Sequence, residues 1–398
     1  MGFVEKLAEV LDRGGRVDAI FLDMEKAFDK VDHKILIEKM EKVIGERRWI
    51  SWIRDFLRGR TQTVKVGNAI SAEEQITSGV PQGSVLGPYL FNIYVEDIEE
   101  GLSSTIRLFA DDCVIYREVS STADEAYLQN DLALVGEWVK NNKMGLNVAK
   151  SKVLSFSRKK VKIIPNYWIS GQILEVVEKY KYLGVVFHRS LGWEEQIQRL
   201  AGRGIKTLNF KMRQLRGTDN SIKEKAYKTL VRPIVEYAAS VWDPFRIGNV
   251  KAMERVQRIA ARRVTGRVKK SRVELNKKGE EVIVWESPTE MVNELGWNTL
   301  EERRKVDRLC NFKRVMEGVG GWAELHKKID LENGKVNSLR GHKKKVKVSR
   351  ARTDVGKFSF LNRTSRDWNG LEAVLVEGDD SVRALRGSLL KTFNNSNR

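Results

Sequence analysis

Two short apolar runs end on carboxylates, and any fold of this chain has to place both. Residues 17–22 read Val-Asp-Ala-Ile-Phe-Leu and stop at Asp23, while residues 105–116 are two apolar stretches joined at Asp111-Asp112. The first has the make-up of a buried strand with an acid at its C-terminal end, the second that of a hairpin with acids at its tip. Neighbouring strands of one sheet would bring the three acids together. Clustered carboxylates repel one another and persist only beside something positive; hard oxygen donors without His or Cys point to Mg²⁺ or Mn²⁺. Two such ions about 3.5–4 Å apart clamp the attacking and leaving oxygens of an in-line phosphoryl transfer. The plainer reading of an Asp-Asp dipeptide is a solvated turn.

The surrounding pattern mixes strands and helices. From Asp32 to about Leu57, Ile35, Leu36, Met40, Val43, Ile44, Ile50, Ile53 and Leu57 recur at mostly helical spacing, interrupted near Gly45. Thr61–Val66 alternates like a strand, with Gly67-Asn68 as its turn. Gly79, Pro81, Gly83, Gly87 and Pro88 punctuate a loop that enters a helix at about Pro88. Residues 122–142 predict an amphipathic helix buried through Ala126, Leu132, Val135, Trp138 and Val139. Val153–Phe156 and Tyr182–Phe187 predict short strands. After about Gly192 long helical patterns take over, at 194–215, 221–243 and 249–265. In the last of these Met253, Val256, Ala260 and Val264 face a core, while Arg255, Arg258 and Arg262 share another face.

Charge follows the same division. The chain of 398 residues has 72 Lys+Arg against 53 Asp+Glu, a formal charge of +19. Residues 1–200 hold 28 basic and 29 acidic side chains, and residues 201–398 hold 44 and 24, so the excess is C-terminal. Such asymmetry points to an anionic partner along one part of the molecule, most simply a nucleic-acid backbone; a solvated basic face is the alternative. The basic run Lys343–Arg352 is expected at the surface. No apolar run approaches the ~20 residues of a membrane span, so membrane insertion is not expected. Two cysteines, Cys113 and Cys310, and four histidines cannot build a disulfide framework or a zinc cluster.

Several segments resemble one known family. FLDMEKAFDKVDH at 21–33, SGVPQGSVLGPYLFNIYVEDI at 78–98, FADD at 109–112, LNVAKSK at 146–152 and KYKYLGVVF at 179–187 are similar, in order and spacing, to motifs of reverse transcriptases of non-LTR (LINE-type, jockey-like) retrotransposons. The resemblance continues through AYKTLVRPIVEYAASVWDP at 226–244, ERVQRIAARRVTG at 254–266, LGWNTLEERR at 295–304 and FLNRTSRDWNGL at 360–371. It implies an α+β fold: a right-hand polymerase palm, with an antiparallel sheet and packed helices, over residues 1–190 with a remnant of fingers. A helical thumb over 191–270 and a basic C-terminal region over 271–398 would follow.

It further implies an RNA-directed DNA polymerase that extends a DNA primer along an RNA template with deoxynucleotide triphosphates and Mg²⁺ or Mn²⁺. Asp23, Asp111 and Asp112 would be the metal-binding, catalytic carboxylates. Phe28 would crowd a ribose 2′-OH; its other reading is a core aromatic. Pro81, Gln82 and Gly83 match the loop that positions nucleotide and template, glycine allowing close backbone approach. Lys150 matches a lysine that protonates the pyrophosphate leaving group, a sensible place for a cation in any case. Tyr182, Leu183 and Gly184 resemble the primer grip, and Arg255, Arg258 and Arg262 would contact phosphates.

Only 22 residues precede Asp23, too few for a complete fingers region, so the resemblance implies a truncated element product without its endonuclease. FADD keeps the ring of the more usual leading tyrosine and loses its hydroxyl. A catalytically dead remnant that only grips RNA or DNA is the second reading. A maturase- or telomerase-like polymerase is a third, disfavoured by RDWNGL and LGWNTL. An intracellular ribonucleoprotein, nuclear and cytoplasmic, is the expected setting.

Overall fold

Strand β1 (Arg16–Asp23) is buried along all but its last residue, which requires cover on both faces and so a central place in its sheet. It has that place in a computed structural model that describes residues 1–160, 163–266, 271–275, 281–285, 288–331, 342–378 and 381–396. β2 (Thr105–Phe109) and β3 (Asp112–Glu118) form a hairpin, and β3 and β4 (Lys152–Ser157) flank β1, each antiparallel to it. β5 (Glu175–Val176) completes the order β5-β4-β1-β3-β2. The expected antiparallel sheet thus needs one correction, because β5 runs parallel to β4 at the edge. Between β4 and β5 the chain comes back to the end of the sheet at which β4 began, so the added strand repeats its direction.

The polypeptide divides into two compact units, one of Gly14–Gly184 with His188–Ser190, the other of Met1–Arg13, Val185–Phe187 and Leu191–Arg398. In the first, Ile20 and Leu22 of β1 meet Leu90, Phe91 and Tyr94 of one helix and Leu128, Leu132 and Val135 of another. The predicted helix over 32–57 is two: His33–Val43, capped by Asp32 accepting from the Ile35 N–H at 3.0 Å, and Arg47–Leu57. Gly45, at φ 66°, lies between them. The helix after the Gly/Pro loop is Leu86–Val95. The next is Thr122–Asn141, begun by a Ser121/Asp124 capping box; its buried side includes Leu128 and Asp131, and Ala126 is exposed. Thr61–Val66 is not one strand but two exposed two-residue pieces, since none of its side chains finds a core to face.

A polar cluster lies inside this sheet. Asp18, fully buried, accepts hydrogen bonds from Arg16 Nε at 2.9 Å, Ser155 Oγ at 2.6 Å and Tyr167 OH at 2.8 Å. Arg16 also reaches Glu125 at 2.6 Å, and these partners hold its guanidinium more firmly protonated despite the opposing effect of burial.

The second unit is mainly helical. Long helices run over Glu194–Gln214, Ile247–Thr265 and Leu300–Glu317. The segment predicted as one helix over 221–243 is broken: Asn220–Ala226, a π turn at Tyr227–Val231, Arg232–Glu236, then Ala239–Trp242. Pro233 has no N–H for the helical ladder, and Ala238 takes a left-handed backbone at φ 53°. Val306, Leu309, Phe312 and Val315 pack with Phe360, Trp368, Leu385 and Leu389. Asp243 is buried among Arg304, Arg308 and Arg363.

The N-terminal helix Gly2–Asp12 belongs to this unit: Asp12 accepts from the backbone N–H groups of Arg352 at 3.0 Å and Thr353 at 2.7 Å. Buried Glu5 accepts from Ser359 Oγ at 2.9 Å, and burial pushes its carboxyl above the ordinary range. The run Lys343–Arg352 is mostly exposed but inserts Val346 into the core. A boundary at 270/271 falls at residues 267–270, outside the described residues.

Candidate active site

Register brings the acids together. Asp23 is the last residue of β1 and stands directly opposite Asp112, the first of β3. Phe109 pairs with Asp112, which leaves Ala110 and Asp111 as a two-residue turn. Ala110 has φ 52°, a region unfavourable for a residue with a Cβ, and this strained corner puts Asp111 at the exposed tip of the hairpin. The three carboxylates, separated by almost ninety positions in sequence, therefore share one end of one sheet.

Their mutual field shows in the titration of Asp112, whose carboxyl is raised above its ordinary value by partial burial first and then by Asp111 and Asp23. The Tyr180 phenol is likewise raised, by burial and by Asp112 and Asp23. A cation stands close: Lys150 Nζ is 3.9 Å from Asp23 Oδ2. The donors suit Mg²⁺ or Mn²⁺ in kind, being carboxylate oxygens alone. Among the described residues, however, no three His, Cys, Asp or Glu side chains already form a closed set of ligands.

The backbone that carries Lys150 is bound to β1. The Asn147 N–H donates to the Asp23 carbonyl at 2.8 Å, the Asp23 N–H donates to Ser151 Oγ at 3.1 Å, and the Glu25 N–H donates to the Gly145 carbonyl at 2.8 Å. Asn147 Oδ1 accepts from the Lys150 N–H at 3.1 Å, closing a turn.

The Pro81-Gln82-Gly83 loop is tied to the segment after Asp23. The Gly79 N–H donates to the Val31 carbonyl at 2.8 Å and the Val80 N–H to the Phe28 carbonyl at 2.9 Å. Gly79 has φ 91°, and a Cβ there would lie 2.9 Å from the Asp29 carbonyl oxygen, so glycine is needed twice over. Gln82 Nε2 donates to Asp29 Oδ1 at 2.8 Å, which fixes the amide; among the described residues no donor reaches its carbonyl oxygen. Gln82 and Gly83 are exposed. Phe28 is half-buried and stacks on Phe91 with centroids 4.5 Å apart, so this side chain is in part the core aromatic of its second reading.

Tyr182 is buried with its ring 5.2 Å from that of Phe21, two residues before Asp23, and Tyr180 stacks on the same ring at 4.3 Å. Leu183 and Gly184 then take left-handed backbone, φ 46° and 77°. Arg255, Arg258 and Arg262 lie on the helix Ile247–Thr265 of the other unit, off the face buried through Met253, Val256, Ala260 and Val264. Sequence reasoning missed Ser151, Asn147 and Asp29. The one available signal was that all three sit within or beside the quoted motifs.

Residues 4–187 match the family described as reverse transcriptase (RNA-dependent DNA polymerase). The chain is similar to a probable RNA-directed DNA polymerase from transposon X-element of Drosophila melanogaster, 28% identical over 66% of this chain and 30% of that protein. It is also similar to the RNA-directed DNA polymerase from mobile element jockey of Drosophila funebris, 30% identical over 59% of this chain and 27% of that protein. The chain thus spans less than a third of the length of these relatives. A solved structure of Candida tropicalis telomerase in complex with a TWJ fragment of telomeric RNA aligns with 66% of this chain and 45% of its own. The identity there is 12% and the TM-score 0.36.

Proposed function

We propose that the chain, whose residues 4–187 match the reverse transcriptase (RNA-dependent DNA polymerase) family and which is similar to RNA-directed DNA polymerases of the X-element and jockey elements, extends a DNA 3′-OH along an RNA template by nucleotidyl transfer. The observation that carries this reading is the cross-strand pairing of Asp23 with Asp112, next to Asp111 at the hairpin tip. Asp23, Asp111 and Asp112 would hold Mg²⁺ or Mn²⁺, which when bound supplies charge neutralisation to the attacking and leaving oxygens. Lys150, within 3.9 Å of Asp23, would donate a proton to the departing pyrophosphate.

Gln82 would use its amide carbonyl to orient the incoming nucleotide or the template, held in that pose by Asp29. Phe28 would disfavour a 2′-OH. Tyr182, Leu183 and Gly184 would support the primer terminus; the contacts of the Tyr180 and Tyr182 rings with Phe21 tie that support to the strand bearing Asp23. Arg255, Arg258 and Arg262 would take backbone phosphates.

Primer extension on RNA with Mg²⁺ tests the proposal. The chain should add deoxynucleotides, and Asp111→Asn should slow addition by about 10²-fold or more. Extension undiminished in Asp111→Asn, or none by the unaltered chain, overturns it.

A further inference from the structure

The helix Arg47–Leu57 buries Ile50, Ile53 and Leu57, and carries a second stripe, displaced by one position, whose two tryptophans stay half exposed in the described structure. That stripe is aromatic. Trp49 and Trp52 are 54% and 51% exposed; their rings meet edge to face at 6.4 Å, and Trp52 stacks on half-buried Phe56 at 6.2 Å. Beyond Phe56 the Arg60 guanidinium lies 5.6 Å from the ring centroid, so the row ends on a planar cation. Two exposed tryptophans on one helix face are a costly arrangement for a surface that meets only water.

The flanking charge says what suits this row. Residues 47–60 hold Arg47, Arg48, Arg54, Arg58 and Arg60 against the single acid Asp55. Arg54 is engaged with Glu41 at 3.4 Å, and among the described residues no carboxylate pairs with Arg47, Arg48 or Arg58. An apolar protein segment would use the rings and leave the cations unmatched. A nucleic-acid duplex would meet the cations but offer no free base faces, its bases being stacked on one another. A single strand presents both a phosphate backbone and open base faces.

We propose that the Trp49-Trp52-Phe56-Arg60 row is a binding site for single-stranded nucleic acid, gripping bases by stacking and phosphates through Arg48 and Arg58, without sequence preference. None of its residues is one of the carboxylates or belongs to the Pro81-Gln82-Gly83 loop, although the Arg60 carbonyl accepts from the Ile76 N–H at 2.9 Å on the way into that loop. It adds to the polymerase reading a hold on unpaired strand.

Fluorescence anisotropy of a labelled oligouridine strand with the full chain tests this, in the absence of primer, nucleotide and divalent ion. Trp49→Ala with Trp52→Ala should weaken binding at least tenfold, whereas Trp49→Phe with Trp52→Phe, which keeps the rings, should stay within threefold of the unaltered chain. Affinity for an RNA–DNA hybrid duplex should be unchanged in both, which also controls for folding. The proposal is overturned if the double alanine variant loses less than threefold, as it would were the row a protein-docking face, or if it loses duplex binding equally. Because this assay needs no catalysis, its failure leaves the Asp111→Asn extension experiment intact, and the converse holds.

Discussion

Asp112 is the residue whose environment carries the most information. Its carboxyl is raised by burial and by two neighbouring acids, so folding favours its neutral form more than the unfolded chain does. The stability its neutral form contributes is fully present below the ordinary carboxylate value of 3.8 and is lost as pH rises through the higher folded value. At neutral pH and without divalent ions, Asp112→Asn should therefore melt at a higher temperature than the unaltered chain, and the gain should vanish on acidification; thermal melts from pH 3 to 7 check both. An equal or lower melting temperature at pH 7 means that the acids do not repel one another. Asp23, Asp111 and Asp112 were legible in the sequence because a charge that ends an apolar run is conspicuous. Ser151, Asn147 and Asp29 were not, because a polar residue in a turn looks the same whether it braces the backbone around the acids or meets only water.

At the level of elements, the strand that ends in Asp23 is held by chemistry its sequence conceals. VDAIFLD reads as an apolar strand, yet Asp18 within it is buried on Arg16, Ser155 and Tyr167. Asp18→Ala would leave the Arg16 guanidinium short of its closest partner and should cost about 3–5 kcal/mol in urea unfolding; a loss under about 1 kcal/mol would mean the cluster is incidental. Gly79→Ala meets both a φ of 91° and the Asp29 carbonyl, and should cost about 1–3 kcal/mol while impairing primer extension by displacing Gln82. Unimpaired extension would show that the loop does not depend on that approach. The long helices at 194–214 and 247–265 were readable from apolar period alone. The break within 221–243 was not, since the pattern continues through Pro233 and the π turn keeps Tyr227 and Val231 buried.

Across the whole molecule the charge is the property to test. The excess lies in residues 201–398, and Arg255, Arg258 and Arg262 stand on the helix face turned from the core. If they contact phosphates, replacing all three with Gln should lower the slope of log affinity against log salt by roughly 2–3 on a hybrid duplex, at about 0.9 per contact; an unchanged slope removes them from the interface. Sequence displayed this asymmetry directly, but it could not show that residues 1–13 fold with the C-terminal unit, because Asp12 and Thr353 are joined only in three dimensions.

The account stands on a shared ion site built where the C-terminal end of β1 meets the start of β3. Titration of Mn²⁺ followed by electron paramagnetic resonance, with a hybrid duplex and a non-hydrolysable deoxynucleotide present, reads that site without requiring turnover. The account predicts saturable binding that Asp23→Asn and Asp111→Asn each weaken at least tenfold. Binding left intact by either substitution would contradict it.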